Sequence, residues 1–499
     1  MPGDFDVIVV GSGAGGATFA YACARAGKQV LLLERGQPYH VPNGAHDEHA
    51  MLVAKKPYDD RPVEVNGVAK RLYVGGVPGG STALYGAALL RPSREDFQPG
   101  RHYGNRIPRA IWDWAIPYDA LEPYYTEAEK LYHVAGASED DFGPLQKPRA
   151  GYDSPPLPLH PINRRLIEAN RARGLRPFRL PLAIDSDRCL RCHACAGYIC
   201  PNGARQSAAH LVERARVENL PLHMRTNVEV ERLTTNGAGA VDGIAAWDRA
   251  TGERTVLRAR RYVLAAGAIG SPLLLLRSGL DGPLVGRNYM THLSPIVVGV
   301  FPKQTGAEST FVKQVGFADY YLGTDGYEHK LGLVQSLPVP GPLLMAKTAS
   351  RLLPRWLQGL LRQRMLPLTG IIEDLPDPAN RVGVGASGQP TLRHRFSAYD
   401  RERGRRLSHL MVAILKQAGA AACMAKDFPS DEHMAHQCGT LRCGTAPDHA
   451  VLDPDCRLFG QENVFVVDGS FFPTALGVGP ALTILANALR VAAVVQKEV

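Results

Sequence analysis

Two clusters of residues in this chain have the types and spacing to do chemistry. The first is the glycine-rich run Gly11, Ser12, Gly13, Ala14, Gly15 and Gly16. In such a run Gly11 permits a tight turn, Gly13 lets the backbone approach a pyrophosphate, and Gly16 lets the next helix pack close to the preceding strand. The N-terminus of that helix would face the phosphates with free N–H groups and the positive end of its dipole. Glu34, followed by Arg35, stands where a carboxylate can accept hydrogen bonds from ribose hydroxyls. The second cluster is Cys189, Cys192, Cys195 and Cys200, four thiols within twelve residues. Free thiols or a disulfide, an iron–sulfur cluster and a structural zinc all fit that spacing, with the metal-free reading ahead of the other two.

These residues need elements to hold them. Asp6–Val10 is a short β-branched run that reads as a buried parallel strand, Ala17–Ala26 as a helix ended by Gly27, and Gln29–Glu34 as a second buried strand. Together they form a βαβ unit around the glycine run. Asn227–Leu233 and Arg261–Ala265 are further strands, Ile269–Arg277 is helical, and the chain ends in a strand and a long Ala/Leu-rich helix. The stretch from about Phe301 to Ala420 has longer loops, more Pro and Tyr, and no glycine-rich turn. The expected class is therefore α/β: a Rossmann-like nucleotide domain assembled from discontinuous segments, with an α+β substrate domain inserted into it. The boundaries drawn are 1–100, 185–295 and 445–499 for the nucleotide domain, and 101–184 and 296–444 for the substrate domain.

Composition excludes several classes. With 45% hydrophobic and 21% charged residues the chain has the mix of a folded globular protein, not a disordered one. The net charge of +9 gathers in Arg164–Arg179, Arg351–Arg364 and Arg393–Arg406. Those runs carry few aromatics and match no nucleic-acid module, so they read as solvated faces and no nucleic-acid partner is expected. Nine cysteines, an odd number with four crowded together, do not make a secreted disulfide framework. With no signal-like start and no membrane-length apolar run, a soluble cytoplasmic enzyme is the expectation.

Three distant segments resemble the glucose-methanol-choline oxidoreductase family. The first is Gly79–Gly86, leading to Arg91 and Asp96. The second is Gly267–Gly279, which continues into Val285–His292, with Asp281 where a glycine is usual. The third is His436, Gly439 and Thr440, followed by Val466–Thr474 and Pro480–Ile484. The phrase Glu373–Arg381 is most similar to the sugar-oxidising branch, near pyranose oxidases and glucose or gluconate dehydrogenases. The resemblance implies FAD as cofactor, an antiparallel sheet in the substrate domain, and flavin contacts from Gly80, Ser81, Val228, Ala266, Gly267, Asp468 and Pro480 besides the N-terminal loop. Leu84 and Tyr85 stand where some relatives tether the flavin through a histidine, which implies non-covalent FAD.

It also implies a reaction. A substrate alcohol, on a sugar, glycoside or polyol, gives a hydride to flavin N5 while a positioned base takes the hydroxyl proton. An imidazole, with an ordinary pKa near 6.5, suits that role. The resemblance places the base at His436, with His433 as a competitor. The second His or Asn usual in the family is replaced by Gly479, so Tyr85, His292 or a residue of the inserted domain must supply its function, or His436 acts alone. O₂ or another acceptor would reoxidise the flavin. The alternatives are a dehydrogenase serving a quinone, cytochrome or partner protein, and a redox-neutral flavin lyase. Leu352, Leu353, Trp356, Leu357, Leu360 and Leu361, set among arginines, form an amphipathic stripe suited to an oligomer contact, an entrance cap or peripheral membrane contact.

Overall fold

A computed structural model describes residues 5–41, 47–348, 354–428 and 434–499. Strand β1 (Phe5–Val10) and strand β2 (Val30–Leu33) are apolar throughout because both faces of their sheet are covered. They lie in a five-stranded sheet ordered Val464–Val466, Ala259–Leu264, β1, β2, Leu222–Arg225, in which every pairing is parallel. One sheet thus collects strands from both ends and the middle of the chain, the discontinuous α/β assembly expected.

Helix α1 (Ala14–Arg25) starts inside the glycine run, earlier than the sequence pattern placed it. It packs on the C-terminal helix, which in turn packs on α2 (Tyr118–Leu131), and polar pins cross the core: Thr18 to Tyr132 at 2.8 Å and Tyr125 to Thr483 at 2.9 Å. Helix α3 (Gly267–Arg277) follows the Ala259–Leu264 strand.

A second sheet is antiparallel and six-stranded, in the order Ala422–Lys426, Ile296–Val300, Met365–Ile371, Leu333–Ser336, Val315–Phe317, Phe178–Arg179. Helix α4 (Ala398–Gln417) covers it with Leu407, Met411, Ile414 and Leu415, all buried. Strand Val228–Thr235 stays out of the parallel sheet and forms its own antiparallel meander with Val241–Asp248 and Arg254–Leu257. A small fourth sheet joins Val63–Val65 and Val68–Lys70 to Arg381–Val384 and Pro390–Arg393.

One basic run departs from the solvated face expected of it. Arg403, in α4, is wholly buried and donates to Asp400 at 2.5 Å and to the Glu373 and Lys330 carbonyls at 2.6 and 3.1 Å. A charge can sit there because carboxylate and carbonyl oxygens replace its water. The amphipathic stripe forms helix Arg355–Arg362, which leaves Trp356 and Leu360 exposed; Arg351, Leu352 and Leu353 lie outside the described residues. No helix of the described residues is long and apolar enough to cross a membrane.

Candidate active site

Gly15 and Gly16 of the N-terminal loop leave no room for a side chain. A Cβ at Gly15 would lie 1.8 Å from the Val467 carbonyl oxygen, and one at Gly16 would lie 1.9 Å from the Gly11 carbonyl oxygen. At Gly13, by contrast, a Cβ would meet nothing within 4 Å, so the backbone there opens onto free space. Gly80 packs against it, with its Cβ position 2.9 Å from Gly13 Cα, and the Gly79 N–H donates to Ser12 Oγ at 3.1 Å. Ser81, the next residue, is exposed, and its Oγ accepts from the Gly75 N–H. The two glycine loops therefore form one cradle.

Glu34 braces the cradle: its carboxylate accepts from Ser12 N–H at 3.0 Å, Ser12 Oγ at 2.6 Å and Gly36 N–H at 2.7 Å. Burial pushes its carboxyl upward while these bonds oppose the shift. A carboxylate has about four lone-pair sites, so ribose hydroxyls can still be accepted. Val228 N–H donates to the Glu34 carbonyl at 3.0 Å, whereas Arg35 turns to Asp59, Asp60 and Glu229 and so braces the region from outside. Asp468 accepts from Gly267 N–H at 2.8 Å, Ser271 Oγ and Ser470 N–H, which ties the C-terminal strand to the start of α3 behind Ala266. Helix α1 and helix α5 (Ala481–Val495, capped by Pro480) have no side-chain cap and no acid in the first turn, so their N–H groups remain available to an anion, whereas the first N–H of α3 is taken by Asp468. The cradle fits a pyrophosphate-bearing dinucleotide such as FAD.

His436 lies beside this cradle because its segment runs along the strand end after Asp468: Gly439 N–H donates to the Gly469 carbonyl at 3.1 Å and Leu441 N–H to the Ser470 carbonyl at 2.9 Å. His436 itself has a positive φ of 65°, held against its steric cost by that pairing. Its Nδ1 is 2.9 Å from Nδ1 of His292, and His292 Nε2 is 2.9 Å from the Leu476 carbonyl oxygen. A carbonyl can only accept, so His292 carries its proton on Nε2. Burial holds His292 down to about 4, which keeps it neutral, and its Nδ1 is then an acceptor. His436 must donate from Nδ1, which leaves a free lone pair on Nε2. That nitrogen faces Gly479, 3.5 Å from where a Cβ would be. Burial first, then His292 and Lys313, hold the His436 imidazole well below its usual range, so it is neutral at neutral pH. His433 lies outside the described residues.

The loop carrying Gly479 is clamped from beneath. Leu476, also at positive φ, donates its N–H to Glu373 at 3.2 Å while its carbonyl takes His292. Glu373 is part of a buried ionic group in which Lys330 bridges it at 2.9 Å and Asp96 at 2.5 Å, with Tyr103 and Tyr321 donating to the two carboxylates. A Cβ at Gly477 would lie 2.4 Å from the Tyr321 hydroxyl, so the loop passes only as glycine. Asp96 and Glu373 fall in recognisable motifs, but the sequence held no signal that Lys330 joins them.

Tyr85 is near the cradle, with its hydroxyl donated to the Gln206 carbonyl at 2.8 Å. Arg205, buried beside it, donates to the carbonyls of Tyr85, Cys195, Ala83 and Tyr198, strapping the cysteine turn to the Gly79–Gly86 loop. Cys189, Cys192, Cys195 and Cys200 line one small cavity as free thiols. Among the described residues no three His, Cys, Asp or Glu side chains are placed to hold a metal ion. Sequence reasoning missed Lys313, an amine buried over Gly86, because an isolated lysine in a divergent stretch carries no motif.

The GMC oxidoreductase models match residues 5–294 and 376–488. The chain is 31% identical to 6'''-hydroxyparomomycin C oxidase of Streptomyces lividus, over 97% of this chain and 90% of that protein. It is 28% identical to paromamine 6'-oxidase of Streptomyces fradiae over the same shares. Its fold superposes on pyridoxine 4-oxidase from Mesorbium loti with a TM-score of 0.68 at 21% identity, covering 98% of each chain. With the FAD-shaped cradle and both family models in register along it, the chain belongs to the GMC oxidoreductases, FAD-dependent enzymes that act on CH–OH donors.

Proposed function

We propose that the chain oxidises an alcohol on a sugar, glycoside or polyol to a carbonyl, with His436 Nε2 as the base. The observation that carries this reading is the chain of contacts from the Leu476 carbonyl through His292 to His436, which leaves an unprotonated nitrogen facing the open space at Gly479. Both Streptomyces relatives are named as oxidases of aminoglycosides, which supports a polyhydroxylated substrate. Bound FAD would supply the two-electron acceptor. The chain's own residues do the rest: the glycine loops seat the dinucleotide, His436 takes the hydroxyl proton, and Gly479 leaves room for the carbinol carbon.

In this reading segments 1–100, 185–295 and 445–499 hold the FAD, and 101–184 and 296–444 shape the substrate pocket. The flavin is non-covalent, the enzyme is cytoplasmic, and O₂ or another acceptor turns it over. An anaerobic screen with paromamine, sugars and polyols tests the reaction: at least one bleaches the flavin in the wild-type enzyme, and H436A abolishes the bleaching. A flavin that no alcohol bleaches, or bleaching equal in H436A, refutes it. Acid precipitation tests the attachment: yellow colour retained in the pellet refutes non-covalent FAD.

A further inference from the structure

We propose that Lys313 holds the oxygen of the substrate alcohol, its ammonium donating a hydrogen bond to the oxygen from which His436 takes the proton. This rests on the alcohol-oxidising reading above and assigns the place that Gly479 leaves without a side chain.

The other candidates for that place are already committed. Tyr85 spends its hydroxyl on the Gln206 carbonyl, and His292 is engaged through both ring nitrogens. Lys313 is 7% exposed, yet its amine finds no hydrogen-bond partner among the described residues. Its Nζ is not fully enclosed, so its donors stay open to a ligand. It lies against the far end of the Gly79–Gly86 loop: a Cβ at Gly86 would be 2.4 Å from Nζ, so glycine is needed there to admit the amine. Its charge also reaches His436, where it helps keep the base unprotonated.

The mount is rigid. Ser336 Oγ accepts the Gln314 and Val315 N–H groups at 3.0 Å each and donates to the Val312 carbonyl at 2.8 Å, while Asn163 donates to that same carbonyl at 2.9 Å. The Gln314 N–H also donates to the Val312 carbonyl at 2.9 Å, closing a three-residue turn with Lys313 at its centre. Gln314 turns to Asn163 and the Pro158 carbonyl, while the Lys313 amine lies against Gly86.

Bound FAD would accept the carbinol C–H pair as hydride; the O–H proton goes to His436 Nε2, and the C–O bond becomes C=O. Lys313 keeps its own proton and stabilises the negative charge that grows on oxygen.

Acetate, a small anion that mimics that oxygen, tests this on the FAD-loaded enzyme. Wild type binds acetate with a change in the flavin spectrum. Lys313→Met, which keeps the length of the side chain, weakens binding at least about tenfold and lowers kcat/KM by about a hundredfold at unchanged FAD content. Lys313→Arg keeps the charge and stays within about tenfold of wild type in both. The wild-type enzyme gives a second readout that needs no variant. Lys313 is pulled down to about 8 by burial, so acetate affinity falls between about pH 7 and about pH 9.5 as the ammonium is lost. Two titratable groups near it do not reproduce this loss: Cys195 is pushed up to about 12 and His436 is already neutral.

Equal acetate binding by K313M and wild type overturns the assignment, as does an acetate affinity that stays flat with rising pH if K313M does not fold. A wild-type flavin that no alcohol bleaches instead refutes the alcohol-oxidising reading, and the acetate titration still decides Lys313.

Discussion

Replacing His292 by leucine removes the acceptor for the Nδ1 proton of His436 while filling nearly the same volume. In the wild type His292 stands 2.9 Å from His436 and 2.9 Å from the Leu476 carbonyl, and it is buried. Without it, a mostly enclosed N–H is left unpaired at a cost of about 1–3 kcal/mol. The ring escapes that cost by moving its proton to Nε2 or by turning, and either change removes the lone pair facing Gly479. At about 1.4 kcal/mol per decade, H292L should lose about 10- to 100-fold in kcat/KM with little change in KM, because only the base is affected. Asparagine places a carbonyl oxygen near the position of Nδ1, so H292N keeps the acceptor and should stay within about fivefold of wild type. Anaerobic stopped-flow reduction of the flavin reads the step directly. If H292L reduces its flavin at the wild-type rate, or H292N is as impaired as H292L, the tautomer argument is wrong.

The pH profile of kcat/KM checks His436 itself. A base at His436 would work unprotonated, and its imidazole is held well below the ordinary 6.5, so activity should stay flat as pH falls through that value and drop only at more acid pH; a decline centred near 6.5 contradicts this. Lys330→Met leaves the Asp96 and Glu373 carboxylates buried without their cation, and should cost about 3–5 kcal/mol, seen as a large fall in the Tm followed by flavin release; an unchanged Tm rejects the bridging role. Gly15→Ala should yield protein without FAD, since its Cβ would lie 1.8 Å from the Val467 oxygen; the visible flavin absorbance of the purified variant decides it. Denatured protein should titrate all nine cysteines as thiols under non-reducing conditions, and fewer than nine would mean that some are oxidised or modified.

Much of the fold was legible because it depends on local rules. The strands of the parallel sheet announce themselves as apolar β-branched runs, since burial on both faces leaves no room for polar alternation. Gly11, Gly15 and Gly16 of the first loop are readable because close backbone approach forbids a Cβ, and the family motifs follow from the cradle they build. Other features depend on which distant segments meet. Val228–Thr235 looks like the other strands, but its place in a separate meander is set by pairing with Val241–Asp248. Arg403 belongs by sequence to a basic run, yet Asp400 and two carbonyls draw it into the core. Of the site, the sequence by itself determined the dinucleotide loop, the motif around His436 and the absence of a side chain at Gly479. Only the tertiary structure decided that His292 orients His436, that Glu373 and Lys330 hold the loop beneath Gly479, and that Lys313 reaches over Gly86. Hydrogen-bond direction and burial are properties of contacts between residues far apart in the chain, and no local pattern records them.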